Sequence, residues 1–267
     1  GLRICLVTPF SWSQPHDVNE HVAGAAPELR RRGHDVTVLA PSGRASDLIA
    51  GRRALADGAH GEVIAVGPAV PISRRSRIGL PVGVRANLAL ALSRGGYDVV
   101  HGFEPGLPSL SYVALRDSRA LAVASFFSPE RLSYPPSKAQ RGRLLSRIDA
   151  LLAVSPETAA AAALRFPGDY RLTALGIDTE RFHPIEKRDV IVCEWRPGER
   201  LLTKALFSIM KELPGWELML LRTKALAGRP SVPSRLRGRV RVRTARSGLA
   251  RASILNEAPI FVPALTG

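Results

Sequence analysis

Short apolar runs alternate with longer amphipathic stretches along the whole chain. The first run, Leu2 to Val7, carries Leu2, Ile4, Cys5, Leu6 and Val7, the pattern of a strand buried on both faces. Pro9 stops it, and the polar and aromatic stretch Thr8–His16 cannot continue a ladder. Asp17 then offers a helix N-cap with Glu20 three residues on, as in a capping box. Val22, Ala25, Ala26 and Leu29 recur at helical spacing. Arg30, Arg31 and Arg32 crowd the last turn, where positive charge suits the helix dipole, and Gly33 ends the helix. Val36–Ala40 is a second apolar strand that Pro41 closes. A strand–helix–strand unit of this length predicts a crossover in a parallel sheet. Ligands of such sheets sit beyond the carboxyl ends of the strands, so the loop Thr8–His16 is the first place to look for function.

The alternation continues. Helices are predicted at Ala45–Leu55, Val84–Leu92, Ser109–Asp117, up to Ile148, and 156–165, the last started by Ser155-Pro156-Glu157. Strands are predicted at Glu62–Val66, Tyr97–His101, Leu121–Ser125 and Ala150–Val154. The order indicates an α/β fold with a doubly wound parallel sheet. Leu175–Pro184 is an irregular link, after which the order restarts. Strand Asp189–Cys193, helix 199–212, strand Glu217–Leu221, a basic loop, strand 239–243, helix 247–256 and strand 259–262 follow. Residues 1–184 thus read as one domain and 185–267 as part of a second. No short-period repeat appears.

Composition changes this picture in two ways. At 267 residues and 45% hydrophobic, the chain can bury a sizeable core and is not a disordered segment. The formal charge of +15 is uneven: residues 187–267 carry 16 of the 38 Lys and Arg and 6 of the 23 Asp and Glu, a formal +10. Such a balance favours anionic partners such as lipid headgroups, nucleotide diphosphates or nucleic acid, although a surface that uses Arg in place of Lys gives the same count. The two cysteines, Cys5 and Cys193, fall in separate predicted strands, which fits a reducing cytoplasm. The N-terminal apolar run is too short for a signal peptide, and no run of about 18 apolar residues predicts a membrane-spanning helix.

Several segments together resemble a known family. Strand, PFSWSQPHDVNEHV and RRRGHDVTVLAP resemble the opening of family 4 glycosyltransferases, including phosphatidylinositol mannosyltransferases. YDVVHGFEPGLPSLSYVAL resembles that family's D-V-hydrophobic-H-x-H-E-P segment, IDALLAVSPETAAAA its D-x-hydrophobic-x-x-V-S strand and helix, and LGIDTERFHP its interdomain segment. VIVCEWRPGERLLTKAL resembles its donor-phosphate loop, and APIFVPALTG the strand before its donor-site carboxylate pair. The resemblance implies a GT-B-like fold of two Rossmann-like domains, the second incomplete here. It also implies transfer of a hexose from a nucleotide sugar to a lipid-linked or polyol acceptor, with retention of configuration. The acceptor would lie against the first domain and the donor in the cleft. The nucleotide sugar is then a substrate, and no cofactor is implied. The segment that would carry the carboxylate pair lies beyond Gly267, so a truncated chain is expected.

The departures from the family fall at functional places. His16-Asp17 replaces a Gly-Gly pair that lets the backbone approach the donor diphosphate through helix N-terminal amides, and a carboxylate there repels phosphate. Asn19 matches a polar acceptor-contacting position, but a solvated helix face accounts for it equally well. His101 and Glu104 lie past a strand's carboxyl end, with Phe103 where the family has a second His. Phe127 stands where the family has a His that positions the sugar, and Phe offers no hydrogen bond; Ser128 is a weak substitute. The resemblance thus assigns His16, Asp17, Asn19, His101, Glu104 and Ser128 to the acceptor side. In the donor loop Glu194-Trp195 replaces a Gly-Arg pair, leaving Arg196, Arg200 and Lys204 to neutralise a diphosphate. The catalytic group is not identified.

Two basic features remain. Arg74, Arg75 and Arg77 cluster in the loop 67–81. Arg237, Arg239, Arg241 and Arg243 alternate with small and apolar residues, which puts every Arg on one face of a strand. Such a ridge attracts an anionic membrane surface or nucleic acid; a charged edge strand protected against aggregation has the same pattern. No aromatic residues interleave, so base stacking is not supported and no specific nucleic acid is expected. No zinc spacing or P-loop predicts a metal site. The second reading is a non-catalytic binding module of the same lineage. The expected location is the cytoplasm, peripheral at the inner membrane face.

Overall fold

A computed structural model describes residues 1–59, 61–69, 82–222, 228–245 and 247–264. The chain divides into two compact units, Gly1–Gly176 and Ile177–Gly267. The loop cluster Arg74, Arg75 and Arg77 lies outside the described residues.

Among the described residues the first unit holds seven strands: β1 (Arg3–Val7), β2 (Asp35–Ser42), β3 (Val63–Pro68), β4 (Val99–Phe103), β5 (Leu121–Phe126), β6 (Ala150–Ala153) and β7 (Tyr170–Leu172). They form one parallel sheet in the order β3-β2-β1-β4-β5-β6-β7. The helices between them are α1 (Asp17–Arg31), α2 (Ala45–Ala56), α3 (Val82–Gly95), α4 (Leu110–Asp117), α5 (Lys138–Leu145) and α6 (Pro156–Arg165). One apolar cluster joins Cys5, Val7, Leu39, Ile64 and Val66 of the sheet to Leu55, Val84, Leu88 and Leu115 of α2, α3 and α4. A second joins Ile4, Leu6, Val36, Val38 and Phe103 to Val18, Val22 and Ala26 of α1. Strands read as continuous apolar runs because both faces are covered.

Local chemistry sets several boundaries. The N-cap of α1 is His16, whose side chain lies at the Val18 amide; Asp17, expected as the cap, is the first helical residue. Strand β2 does not stop at Pro41 but runs to Ser42, with a register shift between Ala40 and Pro41 that accommodates the missing ladder donor. Ser155 caps α6 by accepting from the Thr158 N–H at 3.1 Å. Asp98 and Asp149 sit just before β4 and β6 and accept the N–H groups of Arg3 and Ala122 on neighbouring strands, each at 2.7 Å. The three-residue edge strand β7 is not foreshadowed by any apolar run.

The second unit is a smaller parallel sheet of β8 (Val190–Glu194), β9 (Glu217–Arg222), β10 (Val240–Thr244) and β11 (Ile260–Val262), in the order β10-β9-β8-β11. Helices α7 (Arg200–Glu212) and α8 (Gly248–Glu257) cover its faces. The expected ridge of four arginines is broken up. Arg237 lies outside the strand, at the end of a 3-10 turn over Ser234–Leu236. Arg239 turns into the unit, donating to the carbonyls of Met210 and Leu213 at 2.7 Å each and of Pro214 at 3.2 Å. It therefore satisfies the carbonyls left over at the end of α7. Arg241 and Arg243 remain exposed on edge strand β10, and Arg241 lies 3.5 Å from Glu217.

Candidate functional site

In the first sheet the strand order reverses between β1 and β4, the topological switch point where ligands of open parallel sheets bind. Three segments meet there: the β1–α1 loop, the end of β4, and the stretch after β5. The first loop is fixed by Asn19. The Thr8 hydroxyl donates to Asn19 Oδ1 at 2.6 Å, and Asn19 Nδ2 donates to the Phe10 and Ser11 carbonyls at 3.3 and 3.0 Å. Asn19 is buried together with Val18, Val22 and Ala26, so it does not stand on a solvated helix face. Its amide is used to hold the loop.

The loop delivers Phe10, His16 and Asp17 to the mouth. The His16 ring stacks on Phe10 with centroids 3.4 Å apart. His16 Nδ1 lies 2.7 Å from Asp17 Oδ1 and 3.2 Å from the Val18 nitrogen. One nitrogen cannot donate to the carboxylate and accept from the amide at once, so where the ring carries its proton decides which of the two contacts is a hydrogen bond. Arg131, from the stretch after β5, reaches the same carboxylate at 3.5 Å and Glu104 Oε2 at 3.3 Å, with its guanidinium 5.1 Å from the centre of the Phe10 ring. Burial alone would raise the Asp17 pKa; the His16 hydrogen bond and the charges of His16 and Arg131 outweigh it and hold the carboxyl well below its usual range.

Glu104 is fully buried. Its backbone is left-handed at φ +53°, a conformation that is strained for a side chain of this kind. Oε1 accepts the Phe127 N–H at 2.5 Å. Burial pushes its pKa up to about 7, against the opposing Phe127 hydrogen bond and Arg131 charge, with Asp17 adding a small push upward. A raised carboxyl pKa of this kind occurs at functional sites and in structural ion-pair networks alike.

Beside it lies a patch of aromatic rings. His101 and Phe103, two apart on β4, share a face and stack at 4.2 Å. His21 meets Phe103 and Phe127 edge-on at 5.9 and 5.3 Å. His101 Nε2 lies 2.6 Å from the Ser125 hydroxyl. Burial, with a contribution from His21, lowers its pKa to about 3. Burial lowers that of His21 as well. Both rings are therefore neutral near pH 7. Ser128 caps a tight turn, accepting the Glu130 N–H at 3.3 Å and, through its carbonyl, the Arg131 N–H at 3.2 Å. The structure thus brings His16, Asp17 and Glu104 together through Arg131. It places His101 in the adjoining aromatic patch, and Asn19 and Ser128 in supporting roles.

Arg131 was not among the residues singled out from the sequence. It lies in a stretch without periodicity, 27 residues after Glu104, and its only signal is that it follows the Ser125–Ser128 segment.

In the second unit the corresponding place is the carboxyl end of β8 and the start of α7. Gly198, at φ +97°, turns the chain into the helix, and Glu199 occupies the N-cap position without a side-chain cap bond. Arg200 opens the helix and Lys204 follows one turn later on the same face; both are exposed. Arg196 lies in the loop between strand and helix and is half-buried. Among the described residues no group of three His, Cys, Asp or Glu side chains could hold a metal ion.

Comparison with known proteins places these features. Residues 18–181 match glycosyltransferase family 4. A phosphatidyl-myo-inositol mannosyltransferase of Propionibacterium freudenreichii subsp. shermanii is 34% identical over 163 residues, which are 59% of this chain and 42% of that relative. A phosphatidyl-myo-inositol mannosyltransferase of Mycobacterium tuberculosis is 25% identical over the whole of this chain and 72% of its own length. Among solved structures, sucrose-phosphate synthase from Thermosynechococcus elongatus superposes with a TM-score of 0.59 at 14% identity, covering 97% of this chain and 74% of that one. The catalytic domain of starch synthase IV from Arabidopsis thaliana, bound to ADP and acarbose, superposes at 0.58 and 11% identity, covering 98% and 78%. The two parallel sheets are those of a GT-B-like α/β fold. The match spans well over half of the chain, and the protein belongs to glycosyltransferase family 4.

Proposed function

We propose that the protein takes part in transfer of a hexose from a nucleotide sugar to a polyol or lipid-linked acceptor, with retention of configuration. Family membership supports glycosyl transfer, and the mannosyltransferase relatives support a sugar-bearing lipid or polyol as acceptor. The observation that carries the donor side is the start of α7. Arg200 and Lys204 stand exposed on its first two turns, at the carboxyl end of β8. Helix N-terminal amides and two cations together favour a diphosphate, the group a nucleotide sugar presents. Arg196 adds a third positive charge in the same loop. The nucleotide sugar is a substrate, and the proposal invokes neither cofactor nor metal.

The acceptor side is read at the switch point of the first unit, where Glu104, Asp17 and His16 face Arg131 and His101 adjoins. Here a specific observation favours the second reading, a non-catalytic binding module. Phe127 is buried in the position where the family uses a hydrogen-bonding His, and Asp17 puts a carboxylate at the start of α1. We also propose an anionic membrane surface as partner, at the cytoplasmic face. It rests on the formal +10 of residues 187–267 and on exposed Arg241 and Arg243. Among the described residues no helix is long and apolar enough to cross a membrane.

Calorimetry with a panel of UDP- and GDP-sugars, followed by radiolabelled hexose transfer to phosphatidylinositol vesicles, tests the reading. Binding with transfer supports the enzyme. Binding without transfer supports the module. No binding to any donor contradicts both the assigned donor loop and the proposed chemistry.

A further inference from the structure

We propose that Arg222 is a positioning residue of the donor mouth in the second unit. Its buried guanidinium clamps the end of β10 and the chain returning at Gly228 onto the end of β9. It thereby fixes the strand ends over which the part of the donor beyond its diphosphate lies. The inference rests on the donor reading given above.

The alternation of side chains places Arg222 at that mouth. One face of the second sheet packs on α7. Ile191 and Cys193 of β8, Leu218 and Leu220 of β9, and Val240 and Val242 of β10 lie on it, against Leu206, Phe207 and Met210 of α7. The next member of each set stands at the carboxyl edge: Trp195, Arg222 and Thr244. Trp195 still packs on the apolar core. Leu221 pairs with Glu194 and Arg222 with Thr244, and the Trp195 N–H donates to the Leu221 carbonyl at 2.8 Å. Arg222 is therefore the middle of a row that begins in the loop carrying Arg196 and leading to Arg200.

An arginine breaks the apolar set that it continues. It is 7% exposed, and burying a guanidinium is costly unless its donors are used. Nη2 donates to Thr244 Oγ1 at 2.9 Å, and Nη1 donates to the Gly228 carbonyl. Gly228 is left-handed at φ +77°. The chain beyond it reaches Val232 and Leu236, which pack on the same core. One planar fork thus joins the end of β9, the end of β10 and the returning chain. A lysine ammonium carries the same charge without that rigid fork. An apolar side chain of similar volume is often as stable at a buried charged position, so stability alone does not call for arginine here. Arg200 and Lys204 are exposed and supply charge to the diphosphate; Arg222 is buried and sets the shape of the edge beside them.

Calorimetric titration of the whole chain with the tightest-binding UDP- or GDP-sugar, and separately with inorganic pyrophosphate, tests the clamp. The melting temperature of each free variant is measured alongside. Arg222→Lys keeps the charge and loses the fork, and should weaken nucleotide-sugar binding by about tenfold. Thr244→Val removes one of the two acceptors and should cause a smaller loss. Both changes together should be no worse than Arg222→Lys alone, because Arg222 acts through Thr244. Pyrophosphate meets only the start of α7 and should bind the variants as it binds the wild type. A merely structural role would lower the melting temperatures without that split between the two ligands.

Unchanged nucleotide-sugar affinity in Arg222→Lys overturns the proposal, as does an equal loss for pyrophosphate or additive losses in the double variant. Should Arg222→Lys not fold, unchanged affinity in Thr244→Val overturns it. A wild-type chain that binds no nucleotide sugar overturns the donor reading and this inference with it. Wild-type binding that the variants leave intact removes the clamp alone.

Discussion

The starts of α1 and α7 occupy equivalent places in their units. Each follows the first strand of a parallel sheet and points its amides past that strand's carboxyl end. Both therefore offer the partial positive charge that draws anions. The first residue of each helix decides what becomes of that field. At α1 it is Asp17, whose carboxylate takes up the field and draws in His16 and Arg131. At α7 it is Arg200, with Lys204 a turn later; both are exposed, while the Glu199 carboxylate is buried at the N-cap position. The first mouth holds its carboxylate against His16 and Arg131, and the proposed donor site at the second presents two exposed cations beside its own. The same crossover geometry thus carries a closed ion cluster at one helix start and exposed cations at the other.

The largest effect that separates the two mouths is on stability. Asn19→Ala removes the amide that ties Thr8, Phe10 and Ser11. At roughly 1–3 kcal/mol for each buried group left unpaired, it should cost about 3 kcal/mol in urea unfolding. Arg200→Ala with Lys204→Ala alters only exposed positions and should stay within about 0.5 kcal/mol. Equal losses at the two mouths would erase the distinction. Next in size is a contrast within the second unit. Arg239→Ala should cost about 2 kcal/mol, because the guanidinium serves several carbonyls at the end of α7. Arg241→Ala and Arg243→Ala should change stability little, and should instead weaken co-sedimentation with phosphatidylglycerol vesicles at low salt.

The ligand side of the comparison is sharpened by affinity. Arg200→Ala with Lys204→Ala should weaken nucleotide-sugar binding by about tenfold or more, equivalent to about 1.4 kcal/mol, with the melting temperature unchanged. The smallest effect is expected from His16→Gly with Asp17→Gly. Loss of the cap should cost about 1 kcal/mol of stability, while removal of the carboxylate should raise the affinity of the first mouth for inorganic pyrophosphate. A lower melting temperature without any gain in affinity would leave Asp17 a purely structural residue.

The fold was legible because most of its buried parallel strands are continuous apolar runs; ten of the eleven described strands were predicted, β10 among them from an Arg and Val alternation rather than an apolar run. The eleventh, Tyr170–Leu172, is short and lies at a sheet edge with its last two residues exposed, so it has no apolar signature. Pro41 misled because its punctuation is overridden by a register shift inside a paired strand. The Arg alternation at 237–243 was real, but period two assumes a strand throughout, and the strand begins only at Val240. At the site, the residues beyond strand ends were legible from topology, and their connections were not. Arg131 is joined to Asp17 and Glu104 by tertiary proximity alone. Asn19 was within reach, since it precedes Val22 and Ala26 by three and seven residues, on the face that α1 buries.

The central claim is that anion recognition belongs to the start of α7 and is pre-empted at the start of α1. Its most direct test is a hydrogen-exchange footprint of the wild-type chain saturated with the tightest-binding UDP- or GDP-sugar at fixed pH. Added protection in residues 194–206, with none in residues 8–20, is the predicted result. Protection confined to residues 8–20 would contradict it.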